Sequence, residues 1–259
     1  MRDNFQHRNN RNNDNDASMI YGTRAVIEAL KSGKELERLF VQAGLNNPLM
    51  RELKAELKAA DVMYQQVPIE KLNRLTRQNH QGVVGYISEV QYGRVEEIVP
   101  GIFESGKVPL ILILDRITDT RNLGAIARTA ECSGVNAIVI PSRGSALINA
   151  DTVKTSAGAL HHLPVCREDN LKTTIDYLKE SGFYIVACSE KTDKYVFDID
   201  MKKPLAIIMG SEENGVSPEY MKKCDAIAKI PMSGHIESYN VSVAAGMILF
   251  ETMRQRFVK

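Results

Sequence analysis

Leu110-Ile-Leu-Ile-Leu114 is five aliphatic residues without a polar break. A strand with one face in water would alternate; an unbroken run belongs to a parallel sheet covered on both faces. Similar runs recur at residues 137–140, 184–187 and 205–209, and helical periodicity occupies 125–133, 171–180 and 241–256. Strands alternating with helices imply an α/β fold, a parallel sheet with helices on its faces. The expected domain runs over residues 108–259.

A smaller α/β unit precedes it, at residues 18–92. Its pattern predicts helix 23–32, strand 36–41, helix 48–60, a short strand near Met63, helix 68–76 and strand 83–87. Pro68 suits a first helical turn, and Gly33 and Gly44 suit element exits. Between 93 and 107 the periodicity fades and Gly93, Pro100, Gly101 and Gly106 punctuate the chain, so a linker is expected there. Residues 1–17 hold six Asn, three Arg and three Asp with almost no aliphatics. Such a segment cannot repay the entropy of folding and is expected to be a disordered tail.

Lys and Arg number 33 against 32 Asp and Glu. A polyanionic partner must therefore be met by a local basic patch. Cys132, Cys166, Cys188 and Cys224 lack the spacing of a zinc site or a disulfide framework, so no metal is expected. Neither a signal peptide nor a run of the roughly 20 apolar residues that span a bilayer is present, which points to a cytoplasmic protein with no membrane partner.

In α/β domains, ligands are held where strands end. Three segments stand there. Residues 114–130 end a strand and enter a helix through Asn122, which suits an N-cap as well as a functional role. Arg128 follows among Leu, Ala and Ile, where a guanidinium is costly unless paired; an ion pair and a phosphate contact both fit it. Residues 207–218 place Gly210, Glu212 and Gly215 after a strand, where glycine lets backbone approach a ligand. Residues 230–246 run from Ile230 and Met232 through a polar loop to a helix capped by Ser238 or Asn240, with Tyr239 between them. That helix carries a core stripe of Val241, Ala244, Ala245, Ile248 and Leu249. His235 reads as an ordinary loop histidine. Neither GxGxxG nor GxxxxGK[ST] occurs, which argues against nicotinamide and nucleoside triphosphate cofactors.

In this order, the three segments closely resemble the three motifs of the SpoU family of RNA ribose methyltransferases, within the SPOUT superfamily. Tyr21-Gly22 and His80-Gln81-Gly82-Val83 make the first unit similar to the ribosomal-protein-like substrate-binding domain of the branch that modifies guanosine in large-subunit rRNA. The resemblance runs from about residue 19 onward. It implies a trefoil-knotted methyltransferase domain, a homodimer whose partner completes the site, and structured RNA as substrate. It also implies S-adenosylmethionine as cofactor, held by Gly210, Ile230, Met232 and Tyr239. Family catalytic positions fall on Asn122, Arg128, Glu212, Ser238 and Asn240. Two positions depart from the common pattern: Tyr239 stands where Leu is usual, and Glu213 where close relatives often have Gly.

The function these residues imply is methyl transfer to a ribose 2′-hydroxyl, with guanosine of large-subunit rRNA as the target. The alternatives are a tRNA ribose methyltransferase and a non-catalytic RNA-binding ribosome assembly factor. The complete set of catalytic residues counts against the last.

Overall fold

A computed structural model describes residues 18–257. The Asn-rich stretch 1–17 lies outside the described residues. The chain forms two compact units.

The first unit comprises residues up to Gln91 together with Ile148–Asp151. Its elements are β1 (Met19–Tyr21), α1 (Thr23–Lys31), β2 (Leu36–Gln42), α2 (Pro48–Ala59), β3 (Gln65–Val67), α3 (Ile69–Leu75) and β4 (Val83–Ile87). The four strands lie in the order β1-β4-β2-β3. Val26, Ile27, Met50, Leu53 and Leu57 bury one face of α1 and α2 against Leu39, Val41 and Val83. Asn47 caps α2 by accepting from Met50 N at 2.8 Å, and Pro48 opens it.

The two motifs noted in this unit adjoin in space. Tyr21 pairs with Val84, and Gly22 N donates to Val83 O at 3.0 Å. His80 is buried; its Nδ1 accepts from Gly82 N at 3.1 Å, and its Nε2 lies 2.8 Å from Asn73 Oδ1. With Nδ1 accepting, Nε2 is left to donate to the Asn73 amide oxygen. Gly82 has φ +81°, and a Cβ there would meet Leu45 at 2.5 Å. The motif is thus a tightly built turn.

The second unit holds Tyr92–Leu147 and Thr152–Lys259. Its strands are β5 (Tyr92–Gly93), β6 (Leu110–Leu114), β7 (Ala137–Pro141), β8 (Val165–Glu168), β9 (Tyr184–Cys188), β10 (Leu205–Met209) and β11 (Ala226–Ala228). Its helices are α4 (Val95–Glu104), α5 (Thr120–Cys132), the later part of α6 (Ala150–Thr155), α7 (Leu171–Glu180), α8 (Pro218–Met221) and α9 (Val241–Phe257). The seven strands are ordered β11-β9-β10-β6-β7-β8-β5 and all pair in parallel. All residues of β6 and β10 are buried, as the unbroken runs predict.

The expected linker over 93–107 is corrected. Tyr92–Gly93 pairs with β8, and Val95–Glu104 is a helix. Val95, Val99 and Ile102, at positions i, i+4 and i+7, are buried in the main core. Pro100 and Gly101 lie on the opposite side, so they lower helix propensity without opening the packed face. Glu168 is buried and anchors the helix start by accepting from Val95 N at 2.9 Å; burial pushes its carboxyl upward.

The C-terminal end of α9 is held by Arg256. Its guanidinium donates to the backbone carbonyls of Met201, Val108, Pro109 and Lys203 at 2.9–3.0 Å. These carbonyls belong to the segments entering β10 and β6. Among the described residues, no helix is long and apolar enough to cross a membrane.

Candidate active site

β6 and β10 are neighbours at the centre of the sheet, and the chain leaves them in opposite directions: from β6 to β7 on one side, and from β10 to β11 on the other. A crevice opens at the carboxyl ends of strands at such a switch point. The segments after β6 and β10 therefore face each other, and the loop after β11 joins them.

The segment after β6 is fixed by a buried carboxylate. Asp115 is 1% exposed. It takes a two-pronged contact from Arg116, at 2.9 and 3.2 Å, and accepts from Ser217 N at 2.7 Å. Arg116 also donates to Gly215 O at 3.2 Å. Arg116 has φ +60°, a left-handed conformation that a side chain adopts only when its surroundings hold it. The bond to Asp115 raises the guanidinium's proton affinity further.

Asp115 and Arg116 thus pin the far end of the 210–217 loop. At its near end, a Cβ on Gly210 would lie 2.0 Å from Gly215 C and 2.1 Å from Val216 N. No side chain fits between those strands of backbone. Neither Asp115 nor Arg116 was among the expected site residues; the signal was an acidic residue at the very end of a fully apolar strand.

α5 begins five residues earlier than its periodicity suggested, and its cap is Asp119. The Asp119 carboxylate accepts from Arg121 N at 2.8 Å and from Asn122 N at 2.9 Å. Asn122 is therefore inside the first turn with its side chain released from capping. It donates from Nδ2 to Glu212 Oε1 at 3.2 Å. Asn240 Nδ2 donates to the same oxygen at 2.5 Å and to Asn122 Oδ1 at 3.1 Å, and Val241 N approaches Glu212 Oε1 at 3.4 Å. Residues 122, 212 and 240, from three separate segments, converge on one carboxylate oxygen.

Of the two caps considered for α9, Asn240 is the one used: its Oδ1 accepts from Ser242 N at 3.0 Å and its carbonyl from Ala244 N at 2.9 Å. Ser238 stands in the exposed loop and lines a cavity instead.

That cavity, about 430 Å³, lies at the ends of β9, β10 and β11. Gly210, Ile230, Met232 and Tyr239 all line it, with Glu212 at its edge. Ile230 is 8% exposed, and Tyr239 Oη donates to Pro231 O at 3.1 Å, closing the loop on itself. Cys188 also borders the cavity, but burial pushes its thiol up to about 12, far from a ready thiolate. His235 is exposed in the same loop.

Arg128 does not join this cluster. Leu123, Ile126, Ala127 and Ala130 form the buried face of α5, and Arg128 falls on its exposed side. The burial cost expected from its apolar neighbours does not arise.

Comparison with known proteins matches these features. Residues 109–250 fit the SpoU rRNA methylase family, and residues 19–93 fit the RNA 2′-O ribose methyltransferase substrate-binding family. A Staphylococcus haemolyticus protein named in the TrmH family of tRNA/rRNA methyltransferases is 36% identical over 238 residues, covering 92% of this chain and 96% of that one. The AdoMet-bound rRNA methyltransferase of Sinorhizobium meliloti is similar with a TM-score of 0.59 and 28% identity, over 91% and 86% of the two chains. The SpoU methyltransferase AviRb of Streptomyces viridochromogenes, in complex with AdoMet, gives 0.60 and 26% over 96% and 95%.

Proposed function

The chain belongs to the SpoU rRNA methylase family, and from that premise we propose that it methylates the ribose 2′-hydroxyl of a guanosine in large-subunit rRNA. It is an S-adenosylmethionine-dependent RNA 2′-O-methyltransferase with an N-terminal substrate-binding domain. The observation that carries the reading is the convergence of Asn122 and Asn240 on Glu212 beside a closed-backbone cavity.

The cavity fits the cofactor. Its volume suits a ligand of that size, and the close packing of Gly210 on the Gly215–Val216 backbone fixes the wall that the ligand meets. Gly210, Ile230, Met232 and Tyr239 would hold it. Bound there, S-adenosylmethionine supplies an electrophilic methyl group on a sulfonium. The protein's own residues must then orient a ribose and relieve the 2′-oxygen of its proton. Well-placed reactants gain roughly 7–11 kcal/mol in effective concentration, so positioning supplies much of the rate.

Asn122, Glu212 and Asn240 form the rigid polar edge against which the ribose sits, with Ser238 beside them. Arg128, whose planar guanidinium donates hydrogen bonds and accepts none, binds a substrate phosphate and stabilises developing alkoxide charge. Its exposed position suits that role once RNA, or a partner subunit, covers α5.

A homodimer belongs to the same proposal. Val243, Met247, Phe250 and Phe257 leave an exposed apolar stripe along α9, of the kind that marks an interface. So does the trefoil knot: the chain leaves β11 at one edge of the sheet and returns past β9 and β10 to reach Asn122. A cytoplasmic place of action goes with an RNA substrate.

The test is transfer of label from S-adenosylmethionine to unmodified large-subunit rRNA or to tRNA. Label in rRNA ribose that falls at least about 100-fold in Arg128→Ala is expected. Label confined to tRNA would replace the substrate and keep the chemistry; the relatives' own naming spans both RNAs. Full activity in Arg128→Lys would remove the role given to its planar donor fork.

A further inference from the structure

We propose that Ser242 is a positioning residue for methyl transfer, which holds the Asn240 amide in the one orientation that completes the Glu212 site. The assignment rests on the methyltransferase reading and extends it to a residue outside the family's catalytic positions.

An amide has one accepting end and one donating end, so Asn240 can face Glu212 in two ways. With Nδ2 inward, it donates to Glu212 Oε1 and Asn122 Oδ1. Rotated by half a turn, it would set its oxygen against the Glu212 carboxylate. Ser242 selects between them: its Oγ lies 2.5 Å and its backbone N 3.0 Å from Asn240 Oδ1, and both donate. Two donors on Oδ1 leave Nδ2 no choice but to point at Glu212.

The backbone N alone makes the helix cap. The hydroxyl is the added element, and it sits one residue beyond Val241, whose own N approaches the same Glu212 oxygen. Ser242 is half-buried within a turn otherwise made of Val and Ala, where nothing in core packing asks for a hydroxyl. Its hydrogen bonds with Asn240 are both to Oδ1, so its whole polar capacity toward that residue serves the amide's orientation.

The experiment compares Ser242→Ala, Ser242→Thr and Ser242→Asp in the full chain, reading kcat on rRNA, the Kd for S-adenosylmethionine and the thermal midpoint. Ser242→Ala keeps the cap and should lower kcat about tenfold, the worth of one ordinary hydrogen bond, with Kd within about twofold. Ser242→Thr restores a donor and should recover most of the rate. Ser242→Asp places an acid in the first turn, which holds or raises the midpoint; as an acceptor facing Oδ1 it should lower kcat more than Ala does.

Wild-type kcat in Ser242→Asp, or losses that simply follow the midpoint, would overturn the assignment. An inactive wild type would defeat the methyltransferase reading instead. In that event the Asn240 side-chain amide protons, followed by NMR without RNA, still decide: they should exchange slowly in wild type and rapidly in Ser242→Ala, and equal rates would refute the role.

Discussion

The loops after β10 and β11 border the same cavity but are built on different terms. In the 210–217 loop, backbone lies on backbone at Gly210, and Asp115 and Arg116 clamp the far end. In the 231–239 loop every residue is exposed, and Tyr239 Oη to Pro231 O is the cross-loop bond among the described residues. The first wall is preorganised, so a ligand against it loses little freedom that the protein has not already lost. The second can adjust to what it covers. A cofactor bound between them has its position set by the first wall and its enclosure by the second.

The sharpest way to break this contrast is Gly210→Ala. A methyl group cannot enter where backbone atoms stand 2.0 Å away, so the loop must open. Loss of about 3 kcal/mol or more in stability and loss of cofactor binding are expected, measured by denaturant unfolding and calorimetric titration. A bound, stable Gly210→Ala protein would show that the first wall is no more rigid than the second.

Asp115→Ala removes the clamp and leaves the loop's backbone intact. Ser217 N loses its acceptor and Arg116 its partner, but Arg116 is two-fifths exposed, so solvent recovers part of its charge. We expect about 2 kcal/mol of destabilisation and roughly tenfold weaker cofactor binding. Unchanged affinity would move the source of rigidity from the clamp to Gly210 alone.

Tyr239→Phe should have the smallest effect. It deletes one exposed hydrogen bond, worth about 0.5 kcal/mol, and should weaken cofactor binding by no more than about threefold. A loss as large as that of Asp115→Ala would mean that the second loop is also held firmly.

Legibility in the sequence follows the same division. Long apolar runs announce central strands, and β6, β9 and β10 were readable for that reason. β8 escapes this reading because Val165–Glu168 ends in Arg and Glu, and the strand expected to open the third segment at Ile230 lies just before it, as the three-residue edge strand Ala226–Ala228. α4 hid behind Pro100 and Gly101, although its buried face kept helical spacing.

At the site, Asn122, Glu212 and Asn240 were recognisable from motif order, yet their meeting on one oxygen spans up to 118 residues of sequence and needed the fold. Asp115 was invisible as a clamp because its acceptor role depends on Ser217, 102 residues away. Arg128 was misjudged by composition: four apolar neighbours suggested burial, but they occupy other sides of the helix.

Arg256 links this topology to time. Its contact with Val108 O closes 148 residues of chain. A contact of such separation carries a large loop-closure entropy, so we expect it to form after the sheet it fastens, which folding and unfolding rates of Arg256→Ala would check. A bond absent from the folding transition state changes the unfolding rate rather than the folding rate. The guanidinium at the end of α9 therefore acts as a latch on lifetime. Without it the catalytic unit should assemble at nearly the same speed and come apart sooner, so that its persistence in the cell is governed from the end of the molecule farthest from the chemistry along the helix.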